Sequence, residues 1–147
     1  MYKHILIPTD GSAIAEKAVE HGLRFAKWAG ARVTIFTARP EYQMPGTSEV
    51  AAGHVMPIAE YERRAMEEAR RVLDRVAQRA KAAQVEVDSE AALSDRPWQA
   101  IIKAAEKHGC DLIFIGSHGR KGLSALFNGS ETHQILAHSS IPTLVYR

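Results

Sequence analysis

The chain has 147 residues, 46% hydrophobic and 24% charged, a globular composition read here as one domain spanning residues 1–147. Nineteen Lys and Arg stand against 17 Asp and Glu, and a net charge of +2 gives no footprint for nucleic acid. A single cysteine, Cys110, excludes an intrachain disulfide, and no stretch approaches the ~20 apolar residues of a membrane span or forms a signal peptide, so the expectation is a cytoplasmic protein.

Ile5-Leu6-Ile7 is a short apolar run broken by Pro8-Thr9-Asp10-Gly11-Ser12, the pattern of a buried strand, a turn and a helix start. Ala15, Ala18, Val19, Gly22, Leu23 and Ala26 then form a helical stripe that Gly30 closes. Val33 to Thr37 is rich in β-branched residues and reads as a second strand. Residues 39–57 hold Pro40, Pro45, Gly46, Gly53 and Pro57 with no period, which reads as a structureless loop, either a functional lid or mobile.

A long helix is expected from Ile58, with Tyr61, Ala65, Ala69, Val72, Leu73, Val76 and Ala80 on one face. Its arginines, Arg63, Arg64, Arg70 and Arg71, are interrupted by Glu62, Glu67, Glu68 and Asp74 and read as a solvated face. A third strand runs from Val85 to Ala92. The next helix starts at Ser94-Asp95-Arg96-Pro97, with Ser94 or Asp95 as its cap, carries Trp98, Ile101, Ile102 and Ala105 as its stripe, and ends at Gly109. Trp28 and Trp98 both sit at helical spacing and are expected to pack.

Asp111 to Gly116 is the clearest strand, an unbroken apolar run of the kind covered on both faces. A glycine-rich stretch follows, then a short helix from about Ser130 to Ser139. The last strand is Pro142 to Tyr146, whose Leu144 and Val145 suit an edge strand and an interior strand equally well. Strands alternating with helices imply a parallel sheet with right-handed crossovers, hence an open doubly wound α/β fold with helices on both faces.

In such folds ligands bind beyond the carboxyl ends of the strands, where strand order reverses. Two loops qualify: Pro8 to Ser12, and the stretch from Gly116 to Ser130. In the second, Gly116, Gly119, Gly122 and Gly129 permit positive φ or close approach to a ligand, so that backbone N–H groups converge on an anion. Gly129-Ser130 opens a helix whose N-terminus favours phosphate, and Ser130 and Thr132 add hydroxyls. Glycines alone leave open a surface loop that turns twice.

Gly116-x2-Gly119-x9-Gly129-Ser130 resembles the signature of the ATP-binding universal stress proteins. Ile5 to Ser12, Cys110 to Gly119 and Ile141 to Val145 resemble that family too, so the similarity covers the chain except for residues 39–57. It implies a five-stranded sheet of order 3-2-1-4-5, a homodimer, and ATP or AMP as ligand, with Mg2+ accompanying a triphosphate. It also implies roles. Pro8, Thr9 and Asp10 lie along the adenosine, with Asp10 near the ribose, and Ala38 lies against the adenine. Ile115, Gly116, His118 and Gly119 line the ribose and phosphates, and Gly129, Ser130 and Thr132 hold the terminal phosphates.

Two positions depart from the family pattern. Glu131 stands where a small apolar residue is common, and beside a triphosphate its carboxylate repels unless it points away or binds the metal. Ala38 replaces a valine and gives adenine less to pack on. The functional reading is an adenine-nucleotide-responsive regulatory or protective module. The alternatives are a slow ATPase or phosphotransferase with Asp10 as base, or a stress protein of the same fold that has lost nucleotide binding through Glu131. The stretch is no P-loop, since no Gly-Lys-Ser/Thr follows the glycines, although Arg120 or Lys121 would substitute electrostatically. No histidine spacing forms a metal site, a Ser130–His133 catalytic pair lacks an orienting acid, and Cys110 reads as an inert core thiol.

Overall fold

The computed structural model describes residues 1–117 and 129–147. The elements are β1 (His4–Pro8), α1 (Ala13–Ala29), β2 (Arg32–Arg39), α2 (Thr47–Ala51), α3 (Ile58–Ala82), β3 (Val87–Leu93), α4 (Pro97–Lys107), β4 (Leu112–Gly116), α5 (Gly129–His138) and β5 (Thr143–Tyr146). All strand pairs are parallel, in the order β3-β2-β1-β4-β5.

The pleat of β1 explains the layering. Successive side chains point to opposite faces, so Ile5 and Ile7 join a cluster with Val19 and Leu23 of α1 and Leu73 and Val76 of α3. Leu6 joins the opposite cluster, with Ile101 of α4 and Ile135 of α5. All three β1 side chains have no exposed surface, and each such burial stabilises by roughly 1.5–3 kcal/mol.

Local signals place the helices. The Ser12 hydroxyl accepts from Ala15 N at 3.2 Å and starts α1. The chain leaves α1 at Gly30, in the left-handed region at φ 64°. The buried face of α1 is the predicted one: Ala15, Ala18, Val19, Gly22, Leu23 and Ala26. On α3, Arg63 pairs with Glu60 at 3.0 Å and Glu67 at 2.7 Å, and Arg64 pairs with Glu60 at 2.7 Å. Hydrogen bonds from Arg63 and then Arg64 hold the Glu60 carboxyl down at about 2. These arginines are therefore occupied along a solvated helix face.

Four expectations change. Residues 39–57 are not structureless: α2 forms there, with Gly46 N donating to Glu49 Oε2 at 2.7 Å. The segment is also strapped down, since Tyr42 Oη donates to Met56 O and Tyr61 Oη donates to Pro40 O, both at 2.7 Å. The third strand begins at Val87 rather than Val85. Trp28 does not pack away, as 81% of it is exposed near the end of α1. Neither Ser94 nor Asp95 caps α4. Ser94 Oγ accepts from Arg96 N at 3.1 Å, and Asp95 accepts from Glu41 N at 2.9 Å and Gln43 Nε2 at 3.0 Å, so Arg96 stands at the N-cap without a side-chain acceptor. The open question about β5 also closes, since it forms the outer strand beside β4.

Gly116 marks the tightest approach of sheet to helix. A Cβ there would lie 2.7 Å from Ala18 Cβ on α1, and neither atom can rotate away. Gly116→Ala is therefore expected to cost about 1–3 kcal/mol in urea unfolding. Adding Ala18→Gly should recover much of that loss, although that change alone costs about 1 kcal/mol of helix propensity. Parental stability for Gly116→Ala would contradict the contact.

Candidate nucleotide site

The strand order reverses between β1 and β4, the neighbours from which the chain departs in opposite directions. Their ladder pairs Ile5 with Leu112 and Leu6 with Ile113, and extends no further, although β1 runs to Pro8 and β4 to Gly116. The β1–β2 ladder, by contrast, continues to Pro8 and Phe36, and Thr9 N donates to Phe36 O at 2.8 Å. The β1–β4 ladder thus stops short of the carboxyl ends of both strands, at the switch point where a crevice is expected.

The loop after β1 is built by its own side chains. Thr9 Oγ1 accepts from Gly11 N at 3.1 Å, and Asp10 Oδ1 accepts from Ser12 N at 2.9 Å. Gly11 holds φ at 78°, and a Cβ there would stand 2.8 Å from Val72 Cγ2 of α3. Pro8 and Thr9 are buried, while Asp10 is partly exposed. The hydroxyl oxygen of Thr9 is therefore an acceptor inside the turn, and the loop presents its backbone and the Asp10 carboxylate.

Ala38 and Ile115 are each 1% exposed and share the α4-facing cluster. They form the apolar floor between the ends of β2 and β4. Gly116 is partly exposed, and its lack of a side chain serves packing on Ala18 rather than a positive φ. Ser117 N donates to Tyr146 O at 2.7 Å and fixes the departure of the chain from β4. His118, Gly119, Arg120 and Lys121 lie outside the described residues.

α5 packs against α4 over the same cluster, and its first turn carries Ser130, Glu131 and Thr132. Ser130 is exposed, whereas Thr132 is 5% exposed and its Oγ1 has no partner among the described residues. A buried hydroxyl without a partner costs about 1–3 kcal/mol, so it marks a position where an incoming acceptor would be stabilised. Glu131 turns toward the neighbouring helix, and its Oε2 accepts from Trp98 N at 2.8 Å, in the first turn of α4. The sequence left open whether Glu131 repels a phosphate, points away or binds a metal, and this bond directs its Oε2 to α4. The signal that could have revealed it is Arg96, a cation at an N-cap position where an acceptor is wanted.

Other candidates stay in structural roles. Cys110 is buried, and desolvation pushes its thiol up to about 11 against an opposing hydrogen bond from Thr34. Among the described residues no three His, Cys, Asp or Glu side chains group to hold a metal. A groove of about 570 Å³ runs between α4 and β3, but its charges largely offset one another: Glu90 pairs with Lys107 at 3.1 Å and bonds His108. Burial raises the Glu90 pKa, yet those two hydrogen bonds outweigh it and hold the carboxyl below its usual range.

The profile of the universal stress protein family matches residues 1–147. The chain belongs to that family. Universal stress protein MJ0531 of Methanocaldococcus jannaschii is 31% identical over 150 residues, covering 100% of this chain and 83% of that protein. The solved structure of the hypothetical protein MJ0577, from the same organism, superposes with a TM-score of 0.76 at 28% identity, covering 99% of this chain and 95% of that one. A universal stress protein in complex with cAMP superposes at TM-score 0.66 and 22% identity, covering 99% and 97%. One from Archaeoglobus fulgidus in complex with dAMP superposes at 0.67 and 16%, covering 99% and 98%. At those identities the last two bring the fold alone. No helix among the described residues is long and apolar enough to cross a membrane.

Proposed function

We propose that this universal stress protein binds an adenine nucleotide in the crevice between β1 and β4 and acts as a nucleotide-responsive regulatory module. The observation that carries the reading is the buried hydroxyl of Thr132 on the first turn of α5, which has no partner among the described residues. A helix N-terminus favours an anion, and a hydroxyl without a partner supplies a donor that folding leaves unused. Relatives of the same fold in complex with cAMP and dAMP support the adenine-nucleotide class.

In this reading the backbone of Pro8 and Thr9 and the carboxylate of Asp10 line the adenosine, with Asp10 at the ribose. Ala38 and Ile115 floor the adenine and ribose, and Gly116, His118 and Gly119 follow the chain toward the phosphates. Gly129, Ser130 and Thr132 take the phosphate end, and a divalent cation accompanying a triphosphate is held by the phosphate oxygens. A hydrolase reading has Asp10 as its one candidate base, with Oδ1 accepting from Ser12 N and no observation that directs the carboxylate at a water.

Thr132→Val tests the reading with two readouts of opposite sign. The free protein should unfold at equal or higher denaturant, because a buried hydroxyl without a partner is removed. In calorimetric titration, affinity for AMP or ATP should fall by roughly three- to tenfold with the loss of one hydrogen bond. Absence of heat with both nucleotides at millimolar concentration in the parent, or equal affinity in the variant, would contradict the site.

We infer a homodimer joined through β5. Leu144, Val145 and Tyr146 on this outer strand are all half-buried, while the opposite edge, β3, carries Asp88 and Glu90, charges that discourage strand addition. Light scattering should give twice the chain mass for the parent and the single mass for Val145→Lys. A monomeric parent at high concentration would refute it.

A further inference from the structure

Trp28 is 81% exposed, yet it belongs to a series of rings. It lies 5.9 Å from Phe25, which lies 6.5 Å from Tyr2 and 6.0 Å from Phe114 of β4. His21 stacks on Tyr146 of β5 at 4.3 Å, and Tyr146 lies 6.4 Å from Phe114. Helical spacing produces the series. Ile14, His21, Phe25 and Trp28 fall on one flank of α1, and Ile14 is 42% exposed. That flank carries no Asp, Glu, Lys or Arg. Glu16, Lys17, Glu20 and Arg24 project to the other side, where they line a groove shared with α3. The exposed part of a surface helix is ordinarily polar, so α1 has an apolar flank in addition to the stripe it buries on the sheet.

The sheet fixes where this flank points. α1 lies on β4 and β1, and α3 lies on β2 and β3. The outer strand β5 therefore extends beyond α1, and its Leu144 and Tyr146 stay half-buried on this face. The stack of His21 on Tyr146 places the apolar flank beside that open margin. We propose that Ile14, His21, Phe25 and Trp28 are covered by the same flank of a second copy of this chain, with Trp28 as the anchor of the contact. The inference rests on the β5 homodimer proposed above and extends its interface to a second element. Two features favour a second copy as the occupant. A two-fold interface sets one patch against itself, which tolerates no excess of either charge, and neither this flank nor Thr143 to Tyr146 holds a charged residue. The dimensions agree as well. Joining two sheets through β5 sets the two α1 helices three to four strand spacings apart, roughly 14–19 Å at about 4.8 Å per strand. Helices in direct contact lie about 8–10 Å apart. Only long side chains projecting from both flanks can fill such a gap, and large rings are what this flank supplies. Tryptophan is among the residues most enriched at the centres of such contacts.

Trp28→Ala should leave each protomer folded, because so exposed a side chain adds little to the core. Light scattering over a dilution series gives the dissociation constant of the dimer. Trp28→Ala should raise it about thirtyfold, the weight of an interface hot spot, while dilute monomer melts as in the parent. In a Trp98→Phe background, Trp28 is the one remaining tryptophan and reports its own surroundings. Its emission should lie at shorter wavelength and resist iodide quenching in concentrated solution, and lose both properties on dilution or when Val145→Lys is added. An unchanged dissociation constant for Trp28→Ala, or Trp28 equally open to iodide in dimer and monomer, would overturn the proposal and leave the β5 dimer standing. A dimer that Trp28→Ala weakens and Val145→Lys leaves intact would keep the α1 contact and refute joining through β5. A parent that stays monomeric at high concentration would overturn both.

Discussion

The burial of β1 on both faces and both edges governs the rest of the molecule. A strand whose side chains alternate between two apolar clusters needs helices above and below the sheet, and these come from α1 and α3 on one side and α4 and α5 on the other. Right-handed crossovers then send the chain outward from β1 through β2 to β3 and back across to β4. At the carboxyl ends of β1 and β4 the chain therefore departs in opposite directions, the switch point at which open α/β sheets bind ligands. The crevice follows from the topology, before any residue within it is considered.

Two helix N-termini stand together on one face of the sheet. α4 and α5 pack together over the same cluster, so their positive ends are neighbours. One end is answered from inside the protein, by Glu131 on Trp98 N. The other carries Thr132, with a hydroxyl that the fold leaves unanswered among the described residues. By crossing to α4, Glu131 ties the first turns of the two helices together at 2.8 Å.

Much of this architecture was legible in the sequence. The stripe from Ala15 to Ala26 and the apolar run from Leu112 to Ile115 each have one interpretation, because period and length agree with turn chemistry at their ends. The first loop was legible for the same reason, since Asp10, Gly11 and Ser12 form the turn and cap through contacts two and three residues apart. Contacts of long sequence separation were not legible. The bond from Trp98 N to Glu131 spans 33 residues and that from Glu41 N to Asp95 spans 54. Propensity therefore assigned the α4 cap to Ser94 or Asp95, which are locally plausible but committed elsewhere. The contact between Gly116 and Ala18, which leaves no room for a Cβ, is likewise one that no local pattern reveals. The short α2 helix escaped because it buries no residue and leaves no apolar stripe.

The most direct test of this account is a crystal structure of the protein with AMP. The account predicts density at the carboxyl ends of β1 and β4, with the phosphate on the first turn of α5 within hydrogen-bonding distance of Thr132 Oγ1 and Glu131 still bound to Trp98 N. AMP seated elsewhere, such as the groove between α4 and β3, or a phosphate that leaves Thr132 without a partner, would contradict it.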